Sequence, residues 1–270
     1  MKRSLADTRP HAVSGKRLER MRLLLSLLKG QSPVTLDELA DALRVSKATL
    51  RRDLADLEDQ NLLVRTHGGA KAVDLRQEQE IPVRLRSAQA RRAKQLIARR
   101  TAQLIPHGPH ALAVSGGTTT TEVVRALRHH ADLTVITNAL SIAAEAAAWP
   151  RIKVIITGGR VRPHSLEAVG PLSEAAFSSL NVATAVLGTD GISVTGGVTT
   201  HDETEARTNR AMVKHAQRVI VVADGSKVSR AMLARMVDLT EVHDFVTDQS
   251  ADPEELERIR QTGVRLHVVD

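Results

Sequence analysis

Two short stretches carry residue types whose spacing could do chemistry. The first, Ser46-Lys47-Ala48-Thr49-Leu50-Arg51-Arg52, gathers hydroxyls, a lysine and two arginines. Arginine can bridge O6 and N7 of guanine with two hydrogen bonds, or clamp a phosphate. Hydroxyls and a lysine at a helix start suit phosphate oxygens. Neighbouring helical positions point about 100° apart, so Arg51 and Arg52 divide the work, one toward bases and one toward the backbone. The second stretch is Val114-Ser115-Gly116-Gly117-Thr118-Thr119-Thr120-Thr121. Glycines let a main chain approach an anion closely, helix N-terminal amides point at it, and threonine hydroxyls add donors. That is the chemistry needed to hold a sugar phosphate. Each stretch also has a purely structural reading. Arg51 and Arg52 could pair with Asp53, Asp56 or Glu58 on a solvated face, and Ser115–Thr119 could be a plain tight turn.

The elements around the first stretch favour the chemical reading. Thr35 can cap a helix, with Glu38 completing a capping box, and Leu36, Leu39, Ala40 and Leu43 give that helix one apolar face. Arg44-Val45 is long enough only for a turn. Ser46 can cap a second helix whose buried side is Leu50, Leu54 and Leu57. Its other side carries Lys47, Thr49, Arg51 and Arg52. Upstream, Leu18, Met21, Leu25 and Leu28 predict an amphipathic helix over 15–29, ending at Gly30. Downstream, Asn61 suits a left-handed cap. Leu62–Val73 alternates about Gly68-Gly69, predicting a hairpin with Arg65, His67 and Lys71 near its tip. Three helices and a wing over 15–73 form a winged helix-turn-helix, the layout that enters a DNA major groove.

Residues 74–90, polar and containing Pro82, read as a linker, followed by a helix from Arg91 to Leu104. Over 91–270, short apolar runs end in Gly, Asn or Asp and alternate with helical segments. They are ALAVSG, LTVITN, KVIITGG, TAVLG, RVIVVAD, DFVTD and RLHVVD. Continuously apolar strands suit a mostly parallel sheet covered on both faces, so the fold class is α/β. Ligands of such sheets bind beyond the carboxyl ends of the strands. The Ser115–Thr121 turn lies there, with Thr137-Asn138, Thr157–Arg160 and Asp224–Lys227.

Composition narrows the function further. A chain of 270 residues favours two domains. Residues 1–105 hold 22 Lys and Arg against 12 Asp and Glu, whereas 106–270 hold 16 against 19, so only the front half invites a polyanion. Trp149, Phe177 and Phe245 are the sole aromatic residues apart from histidine, too few for base-stacking recognition of single strands or RNA. The absence of cysteine excludes disulfides and thiolate metal sites. No cofactor or metal is implied. No apolar run approaches a membrane span and residues 1–13 lack a signal-peptide core, which predicts a disordered leader and a cytoplasmic protein.

The segments Val45–Glu58 (VSKATLRRDLADLE) and Leu62–Ala70 (LLVRTHGGA) resemble the signature of the DeoR family of bacterial transcriptional regulators, and the likeness extends over most of 15–270. Asn61 stands where a glycine is common, Ser115 where the family has Asp, and Asn209 where it has Lys. The resemblance implies a recognition helix from Ser46 to Gln60 and a wing containing His67-Gly68-Gly69-Ala70. It also implies a C-terminal domain similar in fold to ribose-phosphate isomerase and the CoA transferases. There Gly117, Thr118 and Thr119 would hold a phosphate, and Asn138, Gly158, Gly159, Glu205 and Lys227 would line the sugar site. The expected partners are a double-stranded operator, a phosphorylated sugar effector and further copies of the chain. The expected function is repression of carbohydrate genes. The alternative is an isomerase-like enzyme with a DNA-binding domain. Asp190, Glu205 and Asp224 could then serve as the general base, but the loop carboxylate is replaced by Ser115. A third reading is a nucleoid-type binder indifferent to small molecules.

Overall fold

A computed structural model of the chain describes residues 15–28, 33–60, 62–72, 80–86 and 90–270. The expected leader, the Gly30 helix stop, the Asn61 cap and most of the expected linker lie outside the described residues. The chain divides into two compact units, 1–88 and 89–270.

The first unit runs α1 (Gly15–Leu28), β1 (Val34–Thr35), α2 (Leu36–Leu43), α3 (Lys47–Asp59), β2 (Leu63–Thr66), β3 (Gly69–Ala72) and α4 (Val83–Arg86). Thr35 caps α2 and the capping box with Glu38 is formed in both directions, the Thr35 amide donating to Glu38 Oε2 at 2.8 Å. Arg44 closes α2 with φ +52°, in the left-handed region, and this lets the Val45 amide return to the Ala40 carbonyl at 3.1 Å. Ser46 caps α3 by accepting from the Thr49 amide at 3.2 Å. Leu39, Leu50, Leu54 and Leu57 join Met21, Leu24 and Leu28 in one buried cluster.

Two features of this unit differ from the sequence reading. The hairpin is the outer part of a three-stranded sheet, β1-β3-β2, because Val34 and Thr35 pair antiparallel with Ala70 and Gly69. A two-residue strand beside a cap gives no periodic signal. Within the expected linker, Val83–Arg86 form a single helical turn whose Leu85 is buried in the same core.

The second unit opens with α5 (Arg91–Leu104), β4 (His110–Val114), α6 (Thr118–Ala126), β5 (Leu133–Thr137), α7 (Leu140–Ala146), β6 (Ile152–Ile156), β7 (Arg160–Val161), β8 (Ala168–Val169) and α8 (Pro171–Ser178). It continues with β9 (Val182–Gly188), β10 (Gly191–Ser193), β11 (Gly197–Thr200), α9 (Glu203–Lys214), β12 (Ala216–Val222), β13 (Ala234–Val237), β14 (Asp244–Asp248), α10 (Pro253–Gln261) and β15 (Arg265–Val269). Seven strands form one sheet in the order β15-β14-β12-β9-β4-β5-β6, all its pairings parallel. These strands are the seven apolar runs. Side chains alternate between two cores: Ala185, Leu187, Val219 and Val221 enter one, and Leu112, Val114, Val186 and Ile220 the other. Burial on both faces of the five inner strands is why their runs carry little polar alternation, whereas the edge strands β6 and β15 are largely exposed or half-buried.

From β4 the chain builds outward through β5 and β6, and from β9 it builds the opposite way through β12, β14 and β15. The reversal leaves a crevice beyond the carboxyl ends of β4 and β9. The hairpin β7-β8 and the antiparallel sheet β10-β11-β13 are additions to the main sheet. At the other end of the sheet, buried Asp244 accepts from Arg218 at 2.8 Å, Arg265 at 3.0 Å and His267 at 2.9 Å, which fixes the starts of three strands.

Gly69 is the tightest backbone approach among the described glycines of the first unit, since a Cβ there would lie 1.9 Å from the Val34 carbonyl oxygen. Gly69→Ala is therefore expected to force β1 off β3 and to destabilise the unit by about 1–3 kcal/mol, the usual range for overpacking. Gly68→Ala, which meets nothing within 4 Å, is the control. Equal denaturation midpoints for the two variants would refute the assignment.

Candidate functional site: a DNA-reading helix and an anion cradle

Three of the four acidic residues of α3 are committed elsewhere, and the fourth, Asp59, lies exposed at its C-terminal end. Asp53, 1% exposed, accepts from Arg17 Nε at 3.0 Å and Arg20 Nε at 2.5 Å, both on α1. Asp56 pairs with the same Arg17. Glu58 accepts from the Arg65 amide at 3.0 Å and from Arg65 Nε at 2.5 Å, and these bonds hold its carboxylate below the usual range. Arg51 and Arg52 are exposed and have no ion pair among the described residues. The solvated-face reading of the two arginines thus loses its partners, because α1 and the wing take them.

The remaining residues expected to contact DNA lie at the start of α3 and on the wing. Ser46 and Thr49 bond to each other at the start of α3, 2.9 Å apart. Lys47 reaches Asp37 at 2.5 Å, but both side chains are more than half exposed, and such a pair is worth little and exchanges readily for phosphate. Arg65 is tied to α3 through Glu58. His67 lies exposed at the turn between β2 and β3.

The cradle follows β4. Gly117 caps α6 with φ +128° and no side chain caps the helix, so its first-turn amides lack intrahelical partners. The four threonines that follow split into two pairs. Thr120 and Thr121 donate their hydroxyls back to the Gly117 carbonyl at 3.0 and 2.7 Å. Thr118 and Thr119 make no side-chain hydrogen bond among the described residues. Ser115 is fully committed: its Oγ accepts from the Gly188 amide at 3.0 Å and donates to the Gly116 carbonyl at 3.3 Å, stitching the crevice between β4 and β9.

The Gly116 amide donates to Glu167 Oε1 at 2.5 Å, and Glu167 is 2% exposed. From there a chain of buried polar groups crosses the strand ends. Glu167 and Glu205 share a hydrogen bond, and Arg162 Nη1 donates to Glu205. Thr200 donates to Glu205 at 2.6 Å and lies 3.3 Å from Asp190, whose other oxygen is 3.4 Å from Lys227 Nζ. Glu205, which alone would read as a surface helix charge, is 6% exposed. Gly116, Glu205 and Lys227 are thus brought into one network.

Asn138 lies beside the network rather than in it. It is buried, Nδ2 donates to the Ala168 carbonyl at 3.2 Å, and Oδ1 has no partner. Gly158 and Gly159 adopt φ of +71° and +125° and pack on Ser173 of α8, where a Cβ on Gly159 would lie 2.6 Å from Ser173 Oγ. Neither contacts Glu167 or Glu205 by a hydrogen bond. Sequence reasoning missed Glu167, Arg162 and Thr200. The signal for Glu167 was a lone carboxylate within the apolar run Leu166–Val169. Asn209 is also buried, its Nδ2 directed to Met236 Sδ at 3.6 Å. Among the described residues no group of three or more His, Cys, Asp or Glu could hold a metal ion, and no helix is long and apolar enough to cross a membrane.

Comparison with known proteins covers both units. A DeoR-like helix-turn-helix domain matches residues 20–76, and a DeoR C terminal sensor domain matches 89–249. The putative aga operon transcriptional repressor of Escherichia coli O157:H7 is 33% identical over 252 residues, 93% of each chain. The glycerol-3-phosphate regulon repressor of E. coli K12 is 32% identical, over 86% of this chain and 91% of that one. The ribose 5-phosphate isomerase A structure from Methanocaldococcus jannaschii is 15% identical, with TM-score 0.37, over 50% of this chain and 53% of that one, too loose a likeness to argue from.

Burial, and then the neighbouring Glu205, push the Glu167 carboxyl well above the usual carboxylate range, against the pull of the Gly116 amide and Arg162. The unfolded chain ionises this group near pH ~4.3 while the folded chain keeps its proton, so its contribution to stability is full below that pH and is lost as pH rises. Glu167→Gln has no proton to lose. Its melting temperature is expected to exceed that of the native chain at pH 8, with the gap closing as pH falls toward ~4.5. A gap independent of pH would show that Glu167 is ionised in the fold.

Proposed function

The chain belongs to the DeoR family of transcriptional regulators, and on that premise we propose that it represses carbohydrate genes under the control of a phosphorylated sugar held by its C-terminal unit. The exposed, unpaired arginines of α3 carry this reading. A helix that places Arg51 and Arg52 in solvent while Asp53, Asp56 and Glu58 are bound by Arg17, Arg20 and Arg65 presents positive charge to a polyanion over its N-terminal half. Ser46, Lys47 and Thr49 take phosphates at the helix start, and Arg65 and His67 follow the backbone from the wing.

In the second unit the proposed phosphate seat is Gly116, Gly117, Thr118 and Thr119. Its support is the uncapped start of α6 together with two threonine hydroxyls that do nothing else. Glu205 and Lys227 border the sugar; Asn138, Gly158 and Gly159 shape the wall behind it. Ser115 shapes the floor of the seat, its Oγ holding the Gly188 amide across the crevice. The domain scheme is a winged helix-turn-helix over 15–73, a connection over 74–90, and an effector-sensing and oligomerisation unit over 91–270. One winged module gives too little discrimination over a genome, so the active form is a homo-oligomer. Coupling is by linkage: sugar phosphate binds one arrangement of the paired modules better than the other, and operator affinity changes by the same factor. The relatives are named as regulators, and the reading requires no reaction, cofactor or metal, in keeping with a cytoplasmic DNA-binding protein.

Arg51→Ala with Arg52→Ala is expected to weaken binding to a duplex selected by the protein from a random pool by at least thirtyfold, from ~1–3 kcal/mol per arginine. Gel-shift titration measures this, and retained affinity would move the reading surface off α3. Thr118→Ala with Thr119→Ala is expected to leave that duplex affinity in place and to abolish its response to phosphorylated sugars. An unchanged response would put the phosphate elsewhere.

A further inference from the structure

The anion cradle already has an occupant. Glu167 Oε1 accepts from the Gly116 amide at 2.5 Å, and the side chain lies so close over the loop that a Cβ on Gly116 would be 2.5 Å from Glu167 Cγ. This carboxyl arrives from β7-β8, an addition to the main sheet, and is held from behind by Glu205, which Arg162 and Thr200 fix in turn. Thr118 and Thr119, the other donors of the cradle, remain uncommitted.

Resting on the cradle reading above, we propose that Glu167 determines ligand specificity as a tethered plug, excluding ligands that offer only a carboxylate and admitting phosphomonoesters. A tethered group competes at an effective concentration on the order of millimolar. A free carboxylate offers only two oxygens, too few to engage Gly116, Thr118 and Thr119 together, and so does not displace the plug. A phosphate presents three oxygens and can engage Gly116, Thr118 and Thr119 together, which the short reach of Glu167 does not. The site therefore separates sugar phosphates from sugar acids by the number of acceptor oxygens, and part of the binding energy of every ligand is spent moving Glu167.

The test titrates the full chain with inorganic phosphate and with acetate, both small enough to need only the cradle. If the open cradle is about one tenth populated, Glu167→Ala is expected to tighten phosphate binding about tenfold and to create acetate binding that the native chain lacks. Glu167→Ser is expected to give the same two changes should the alanine variant not fold. Unchanged or weakened phosphate binding with no acetate binding in a folded variant overturns the proposal. The Thr118→Ala, Thr119→Ala variant separates the two readings. Phosphate binding that ignores the threonines overturns the cradle itself and the plug with it. Binding that depends on them but ignores Glu167 overturns the plug alone.

Discussion

A carboxyl buried at the mouth of a parallel sheet is the constraint around which the second unit is arranged. Removing such a group from water is costly unless hydrogen bonds and neutralisation offset it. Glu167 is satisfied by the Gly116 amide in front and Glu205 behind. Glu205 in turn needs Arg162 and Thr200. Those partners come from the β7-β8 connection, the end of β11 and the start of α9, with Asp190 and Lys227 extending the line from the turns after β9 and β12. The loops that carry these residues are thereby fixed relative to one another by polar contacts.

The sheet itself explains why the polar groups meet where they do. Seven parallel strands end on the same side, and the reversal between β4 and β9 opens space between two loops that leave in opposite directions. Ser115 closes the base of that space by accepting from Gly188. What is left above it is a helix start with free donors. In the first unit the comparable role falls to Asp53, which binds Arg17 and Arg20 at once and so joins α1 to α3 through charge as well as through the leucine core.

Much of the fold was legible because its signals are local. Thr35, Glu38 and Ser46 announce helix starts through their own side chains, and each caps as its position implied. The inner strands were readable since burial on both faces removes polar residues from their runs, and the half-exposed edge strands β6 and β15 carry enough Val, Ile and Leu to be read beside them. Elements whose stability comes from distant partners were not legible. β1 is two residues long and exists because Gly69 lets it approach. α4 is one turn that depends on burying Leu85 in a core built by other helices. For the candidate site, Gly117–Thr119, Glu205 and Lys227 could be picked out by type and position. Glu167 could not, because its importance comes from a bond to a residue 51 positions away. The commitment of Asp53, Asp56 and Glu58 to other arginines was equally hidden, since a sequence shows which charges are near in the chain and not which are spoken for.

The tie between Glu58 and Arg65 has a mechanical consequence. It joins the wing to the C-terminal end of α3, while Asp53 joins α3 to α1 and the Arg44 turn joins α2 to α3. Among the described residues of the reading head, α1, α2 and the wing are thus each fixed to α3. Such a head is a fixed tool, and a fixed tool can be governed only by the arm that carries it: by where it is set down and how long it is kept there, and not by any change in its own edge.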